Sequence, residues 1–538
     1  MPLRTMTQPT SPSKQPFQSP RQQVATLLVS VFIIAICGIL YELLISTMSS
    51  YFQGSSVLHF SLVIGLFLSF MGVGSYLSRY LEKDLLRWFI SFEILLSLIG
   101  GCSALLLYFA FSLTPYYYGV TFLLIGILGM LIGIEIPILT RIVREYENLR
   151  DAMAKVLSFD YLGALIASVA FPLILLPTLG VMRTAFVIGL LNLSVALLNI
   201  WLFRRQLKSY TGLLAWSSGI GVLLIVGFIY SFQLNRFFDQ FLYQDQILYS
   251  KQSSYQHLVI TRWNQDLRLF IDGNLQFSSL DEYRYHEPLV HLPMSVAIRN
   301  QHVLILGGGD GLAAREVLRY PELQSLTLVD LDPAMTRLGE THPALVSLSD
   351  SALADPRVNI VNQDAYKFIE ESAVIYDVVI IDLPDPNNPG LGKLYSRAFY
   401  EMLVRRVAIG GAVITQSTSP YFAPDAFWCI HHTLDSTFEV TLPVQVYVPT
   451  FGQWGFNLAL NFPNFIYDPL PWPERVVARL DARLFEREWA SQLKFLSPEM
   501  AAGMFQFDPD IAERPTEINR LDNQILVQYY EQSWDQWR

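Results

Sequence analysis

The chain has 538 residues, 52% of them hydrophobic and only 16% charged, with a formal net charge of -10 and a mean hydropathy of +0.34. That length exceeds one ordinary core, and the charge gathers after residue 234, so an apolar half and a soluble half are expected. The acidic balance excludes a nucleic-acid footprint, which needs a basic face, and the three cysteines, Cys37, Cys102 and Cys429, support neither a disulfide framework nor a metal site.

Residues 1–23 are rich in Ser, Pro, Gln and Thr without apolar period and read as a disordered tail. Apolar runs follow at 24–46, 56–79, 87–112, 117–140, 156–178, 182–203 and 211–233, each near the ~20 residues that cross a bilayer. These seven runs predict a multi-pass α-helical membrane domain over 24–233, seated in the cell (inner) membrane with lipid as its partner. The first run lacks a small-residue cleavage site and reads as an anchor. Arg79, Lys83 and Arg87, then Arg141, Arg144, Arg150 and Lys155, then Arg204, Arg205 and Lys208 fall in alternate loops, which makes those loops and the N-terminus cytoplasmic. Seven crossings then leave the soluble half on the opposite face, and a count different by one puts it on the cytoplasmic face, so both faces stay open at this point. Glu42, Glu93, Glu135 and Asp160 lie in or beside the apolar runs, where acids mark either a cation path or bonds between helices. The stretches GVGS (72–75) and GILG (126–129) read as packing surfaces.

Residues 234–463 read as one domain, with a small β-region at 252–280 ahead of an α/β part at 300–463. QHLVITRW and LRLFIDG alternate as two short strands closed by Asp272-Gly273. After a polar helical stretch from Asp281 to Leu292, HVLILGGGDG reads as a buried strand entering a glycine-rich turn and the helix LAAREVLRY, the opening of a Rossmann-like unit at 300–463. The strands SLTLVDLD, VNIVNQDA and YDVVIIDLPDP deliver further acids at their C-terminal ends, where open α/β sheets bind ligands. Asp310 stands in the glycine turn, where its charge repels a pyrophosphate or the carboxylate of S-adenosylmethionine. It suits a donor that ends in an ammonium, as decarboxylated S-adenosylmethionine does.

The ordered segments YQHL, DEYRYHEPLVHLP, VLILGGGDGLAAREV, LVDLD, NQDAYKF, DVVIIDLPDPNNPG and LYSRAFYE resemble the spermidine synthases over roughly 200 residues, and the whole arrangement looks like the membrane-bound polyamine aminopropyltransferases. The resemblance implies a class I methyltransferase-type fold and an aminopropyl transfer from decarboxylated S-adenosylmethionine to putrescine, giving spermidine and methylthioadenosine. No other cofactor is implied. By this resemblance Gln256 and Asp330 contact the donor nucleoside, Asp364 and Ala365 read its adenine, and Pro389 lines that pocket. His286 and Asp310 bind the polyamine side, Asp382 is the proton acceptor, and Asp385 orients the amine. An ammonium with a pKa of ~10.4 has no lone pair and must lose a proton before it attacks, which is the work of a carboxylate base.

The chain departs from the family at Asp382-Leu383-Pro384-Asp385-Pro386, which lacks the usual small polar residues between the acids, and at Phe451, where a Tyr is usual; both make the amine pocket more apolar. A different amine acceptor, a methyltransferase, and a membrane polyamine transporter or sensor with a non-catalytic domain are the rival readings. Residues 464–538 read as a helical extension without catalytic constellation, packed on the enzyme domain or on a neighbouring subunit of a homo-oligomer.

Overall fold

A computed structural model describes residues 20–53, 56–146, 148–243, 245–462 and 470–537. The chain divides into two compact units, Met1–Ser50 with Leu58–Phe238, and Tyr51–Val57 with Asp239–Arg538. The expected disordered tail lies outside the described residues up to position 19, and the expected domain edge at 463–464 does so too.

The first unit is helical: α1 (Pro20–Gln53), α2 (Ser56–Leu77), α3 (Leu85–Gly101), α4 (Ser103–Leu113), α5 (Tyr117–Val143), α6 (Leu149–Ala170), α7 (Leu176–Leu202) and α8 (Tyr210–Tyr243). Five helices among the described residues are long and apolar enough to cross a membrane, or six when α3 and α4, bent by 40°, count as one. The sequence predicts seven. The difference lies in 149–202, which is counted as one helix of 54 residues. At about 1.5 Å per residue it would run roughly 80 Å, far beyond the ~30 Å of a hydrocarbon core. Gly180 breaks it with non-helical angles (φ 70°, ψ 176°), between the two expected runs.

Small residues set the packing of this unit. A Cβ on Gly133 would stand 2.1 Å from the Met71 carbonyl oxygen, and one on Gly74 2.1 Å from that of Met130. Backbone therefore meets backbone where α2 crosses α5, which only glycine permits. Glu93 and Glu135 are buried in the unit, and the Asn192 amide of α7 donates to the Glu93 carbonyl oxygen at 3.0 Å. Apolar side chains such as Leu68, Leu165, Leu173, Val222 and Ile229 are exposed.

The second unit opens with a four-stranded antiparallel meander, β1 (Gln246–Gln252), β2 (His257–Trp263), β3 (Asp266–Ile271) and β4 (Asn274–Ser278), rather than the two strands expected. Asp272 (φ 49°) and Gly273 (φ 81°) turn β3 into β4, and a separate turn with Asn264 at φ 56° joins β2 to β3. Two successive positive φ angles match the twist of a tight hairpin and favour the Asp-Gly pair.

A seven-stranded sheet follows, built from β5 (His302–Gly307), β6 (Ser325–Asp330), β7 (Val358–Asn362), β8 (Tyr376–Asp382), β9 (Val407–Gln416), β10 (Val440–Val448) and β11 (Gly452–Leu460), in the order β10-β11-β9-β8-β5-β6-β7. β5 through β9 pair in parallel, and the β10–β11 hairpin closes one edge antiparallel. This is the expected Rossmann-type α/β domain. Continuous apolar runs make its central strands because both faces are covered. Val303, Ile305, Val378 and Ile380 enter one core, while Leu304, Leu306, Val379 and Ile381 enter the other. Chain order reverses between β5 and β8, which opens a crevice at the strand ends.

Beyond the sheet, helices at Trp472–Leu480, Pro498–Gly503 and Ile525–Asp535 and shorter helical turns at Asp481–Phe485 and Glu488–Gln492 alternate with irregular chain. Buried Asn519 ties this stretch to the α/β core. Its amide donates to the carbonyl oxygens of Gly392 and Tyr395 at 2.9 and 3.1 Å, and its carbonyl oxygen accepts from the Arg397 N–H at 2.9 Å.

Candidate active site

The crevice begins at the glycine turn. Gly307 and Gly308 take φ of 89° and 63°, and the Gly308 N–H reaches the Asp382 carbonyl oxygen at 3.2 Å. A Cβ on Gly307 would stand 2.0 Å from that oxygen, and one on Gly309 2.5 Å from Asp330 Oδ2. The turn thus lets β5 close on the acids that end β6 and β8. A cavity of about 930 Å³ lies over it, lined by Gln256, His286, Asp310, Asp330, Asp364, Ala365, Asp382 and Asp385. Eight of the nine residues singled out in the sequence meet there. Pro389 does not line the cavity; its neighbours Asn388 and Gly390 do. It opens the short helix Pro389–Gly392, capped by Asn388 Oδ1 on the Leu391 N–H at 3.0 Å, where its fixed φ starts a turn of helix.

The acids are held by different means. Asp330 Oδ1 accepts from the Asp332 N–H at 2.8 Å, and Asp332, not Asp330, caps the next helix through the Ala334 N–H at 2.9 Å. Asp332 also takes the Ser253 hydroxyl at 2.7 Å, pinning the 253–256 turn that carries Gln256. Asp364 caps its helix through the Tyr366 N–H at 2.8 Å and pairs with Lys393 Nζ at 2.6 Å. Burial pushes Asp330 up to about 7.

Asp310 Oδ1 accepts from the Leu312 N–H at 2.8 Å, and Asp382 Oδ1 accepts the Tyr285 hydroxyl at 2.6 Å. Burial raises Asp310 to about 6, with the charge of Asp382 adding to it and that of His286 opposing. Asp382 is likewise raised by burial and held back by His286 and by the Tyr285 bond. His286 donates from Nδ1 to Glu282 Oε2 at 2.8 Å, and Arg315 grips the same carboxylate with two bonds of 3.0 Å. Although burial opposes its charged form, Glu282 together with Asp382 and Asp310 holds the imidazole above its usual pKa. The acid cluster thus carries the His286 imidazole and, on Glu282, the Arg315 guanidinium as counter-charges.

Asp385 ends the motif. Burial lifts it to about 6, and hydrogen bonds lower it in part: Gln416 Nε2 donates to Oδ1 at 3.3 Å and the Tyr530 hydroxyl to Oδ2 at 2.9 Å. Around it the cavity is aromatic, with Tyr285, Phe422, Phe451, Trp454, Tyr530 and Trp534. Leu383 and Phe451, the apolar departures from the family pattern, both line the cavity.

Tyr285, Gln416, Lys393, Tyr530 and Trp534 escape the sequence reading. Tyr285 sits beside His286 within a quoted motif, so its signal was present. Tyr530 and Trp534 look like any aromatic pair at helical i, i+4 spacing.

Residues 282–467 match the family model described as "Spermine/spermidine synthase domain". The chain is 44% identical over 509 residues to a polyamine aminopropyltransferase of Leptospira interrogans, covering 95% of this chain and 98% of that one. It is 44% identical over 519 residues to polyamine aminopropyltransferase 2 of Ralstonia nicotianae, with the same two coverages. A crystal structure of spermidine synthase in complex with the transition-state analogue AdoDATO aligns at a TM-score of 0.43 and 26% identity, over 49% of this chain and 86% of that one. With 44% identity over 95% of its length to two polyamine aminopropyltransferases, the chain belongs to the polyamine aminopropyltransferase family.

Proposed function

We propose that the crevice binds decarboxylated S-adenosylmethionine, with Asp330 on the ribose, Asp364 and Ala365 at the adenine and Gln256 closing over the nucleoside, and that Asp382 is the base. The chain is an aminopropyltransferase of the spermidine synthase type, and its co-substrate is decarboxylated S-adenosylmethionine. The assignment of roles rests on one observation above all: Asp310 and Asp382 line the same cavity at the glycine turn, where burial opposes the charge of each and His286 is the cation that faces both. Such a site favours cations and disfavours a donor that brings its own carboxylate.

The acceptor is putrescine in this reading. One ammonium lies between Asp382 and the donor, the other on Asp385. Asp382 takes a proton from the attacking nitrogen. The freed lone pair forms a bond to the aminopropyl carbon beside the sulfonium as the carbon–sulfur bond breaks, and its electrons leave with methylthioadenosine. Enclosure by the aromatic walls strengthens each charge interaction and holds the reactants in line. Isothermal titration with the two donors tests the role of Asp310. The decarboxylated form is expected to bind at least about tenfold more tightly than S-adenosylmethionine, and Asp310→Asn to narrow that gap, because one charge-assisted contact is worth roughly 1.5–3 kcal/mol. Equal affinities in the wild-type chain would overturn the assignment of Asp310.

The helical unit is proposed to cross the cell membrane. Helix length, apolar composition and the exposed leucines and valines of its surface support this, since such surface is stable against lipid. The basic loops support a cytoplasmic face for residues 79–87. Reporter fusions at residues 80 and 113 are expected on opposite faces. A fusion at residue 538 reads the face of the catalytic unit directly, opposite to residue 80 for an odd number of crossings and the same for an even number.

A further inference from the structure

The C-terminal helix Ile525–Asp535 is built into the acceptor end of the crevice. Leu526, buried completely, Tyr530 and Trp534 recur every four residues and so share one face. Leu526 enters the sheet core, which fixes the rotation of the helix and turns the two aromatics toward the cavity they line. The seat leaves little play: a Cβ on Gly392 would stand 2.8 Å from Val527 Cγ2, and the Leu526 N–H reaches Asn519 Oδ1 at 3.4 Å. Farther along, Trp534 stacks on Phe422 with ring centres 5.7 Å apart and planes 14° from parallel. The Trp537 indole N–H donates to the Phe422 carbonyl oxygen at 3.2 Å.

We propose that this helix is a specificity element of the acceptor site, in which Tyr530 positions the Asp385 carboxylate and Trp534, backed by Phe422, forms the wall that limits the length of the amine. The inference rests on the reading of Asp385 as the group that receives the amine's distal ammonium. Asp385 follows two residues, Leu383 and Pro384, whose side chains offer it no hydrogen bond. Its carboxylate is oriented instead from two separate elements, by Gln416 at the end of β9 and by Tyr530 from the C-terminal helix. Gln416 is itself tied to Tyr395, to whose hydroxyl it donates at 2.8 Å. Tyr395 in turn donates to the Pro384 carbonyl oxygen at 3.1 Å. That network holds the loop backbone, and the shorter bond of 2.9 Å from Tyr530 holds the carboxylate oxygen that Gln416 does not reach. Tyr530 is thus a positioning residue, and the cavity it helps line sets Asp382 and Asp385 among aromatic walls. A flexible diamine is recognised there by two cationic ends and the distance between them. Specificity of this kind needs one end fixed and the other end walled.

The test uses the purified full chain and methylthioadenosine release with diamines of three, four and five carbons. Tyr530→Phe removes only the hydroxyl. It is expected to raise the KM for the four-carbon diamine by about tenfold, the scale of a hydrogen bond to a charged group, while the KM for the donor stays within about twofold. Since the hydroxyl stabilises the ionised form of Asp385, its loss should also move the acidic limb of the amine kcat/KM profile to higher pH, a change that loosened packing alone would not produce. Trp534→Ala should raise the ratio of kcat/KM for the five-carbon diamine over the four-carbon one by several-fold. Parallel changes in the KM of amine and donor, or an unmoved acidic limb, would overturn the role of Tyr530; an unchanged chain-length ratio would overturn that of Trp534. Asp385→Asn separates this inference from its premise. If that variant leaves the amine KM intact, the reading of Asp385 fails. If it raises the amine KM while Tyr530→Phe does not, only the role of the helix fails.

Discussion

Replacing Asp382 by Asn is expected to lower kcat by about 10²–10⁴, the usual contribution of a positioned base, while affinity for decarboxylated S-adenosylmethionine stays within about threefold. Asn keeps the shape of the side chain and an oxygen able to accept the Tyr285 hydroxyl, now at 2.6 Å, so the fold of the crevice should survive. It cannot take a proton from an ammonium. The raised pKa of Asp382 follows from burial and brings the base closer to the amine in proton affinity, which eases the transfer. The sign of the pH dependence follows from the same fact. A base must be ionised to act, so amine kcat/KM should fall as pH drops through the raised carboxylate range, near 6 for Asp310 and Asp385. Rates of methylthioadenosine release and donor titrations on the two proteins check both statements. Wild-type turnover by Asp382→Asn would remove Asp382 from the chemistry.

Gly307→Ala should cost about 2–5 kcal/mol of stability and most of the activity. Two costs combine. The residue sits at φ 89°, where an L side chain is strained by about 1–2 kcal/mol. Its new Cβ would also stand 2.0 Å from the Asp382 carbonyl oxygen, and relieving such overpacking typically costs about 1–3 kcal/mol more. The shift needed to relieve it falls on the backbone of the base itself. Gly273→Ala is the control, because Gly273 has a similar φ of 81° but nothing within 4 Å of its Cβ. It should lose only the strain energy. Thermal midpoints of the catalytic unit within the full chain compare the two, and equal losses would show that strain alone, and not the approach of β5 to β8, demands glycine at 307.

What the sequence disclosed follows a physical division. The buried parallel strands were legible because a sheet covered on both faces needs unbroken apolar runs, as in HVLILG and DVVII, and the acids at their ends were legible because the topology leads ligands there. These acids lie within three positions of those strand ends, so local order alone brought Asp310, Asp330, Asp364 and Asp382 into one crevice. Tyr530 and Gln416 were not legible. They reach Asp385 from 145 and 31 residues away, and nothing in the local spacing of QYYEQSW distinguishes a cavity wall from an ordinary packed face. β1 and β4 were missed for another reason: QILYSKQ and NLQFS are short and partly polar, and they become strands by pairing with β2 and β3. In the helical half, Gly74 and Gly129 of the two stretches read as packing surfaces do meet the backbone of a facing helix, while Gly72 has nothing within 4 Å of its Cβ and Gly133, which meets Met71, lies outside both stretches.

A crevice of acids that moves an aminopropyl group onto an amine is tested most directly by product formation in the purified full chain supplied with decarboxylated S-adenosylmethionine and putrescine. The predicted result is one methylthioadenosine for each amine extended by a single aminopropyl group, with no transfer from S-adenosylmethionine itself. Binding of the donor without product from any amine tested would contradict it.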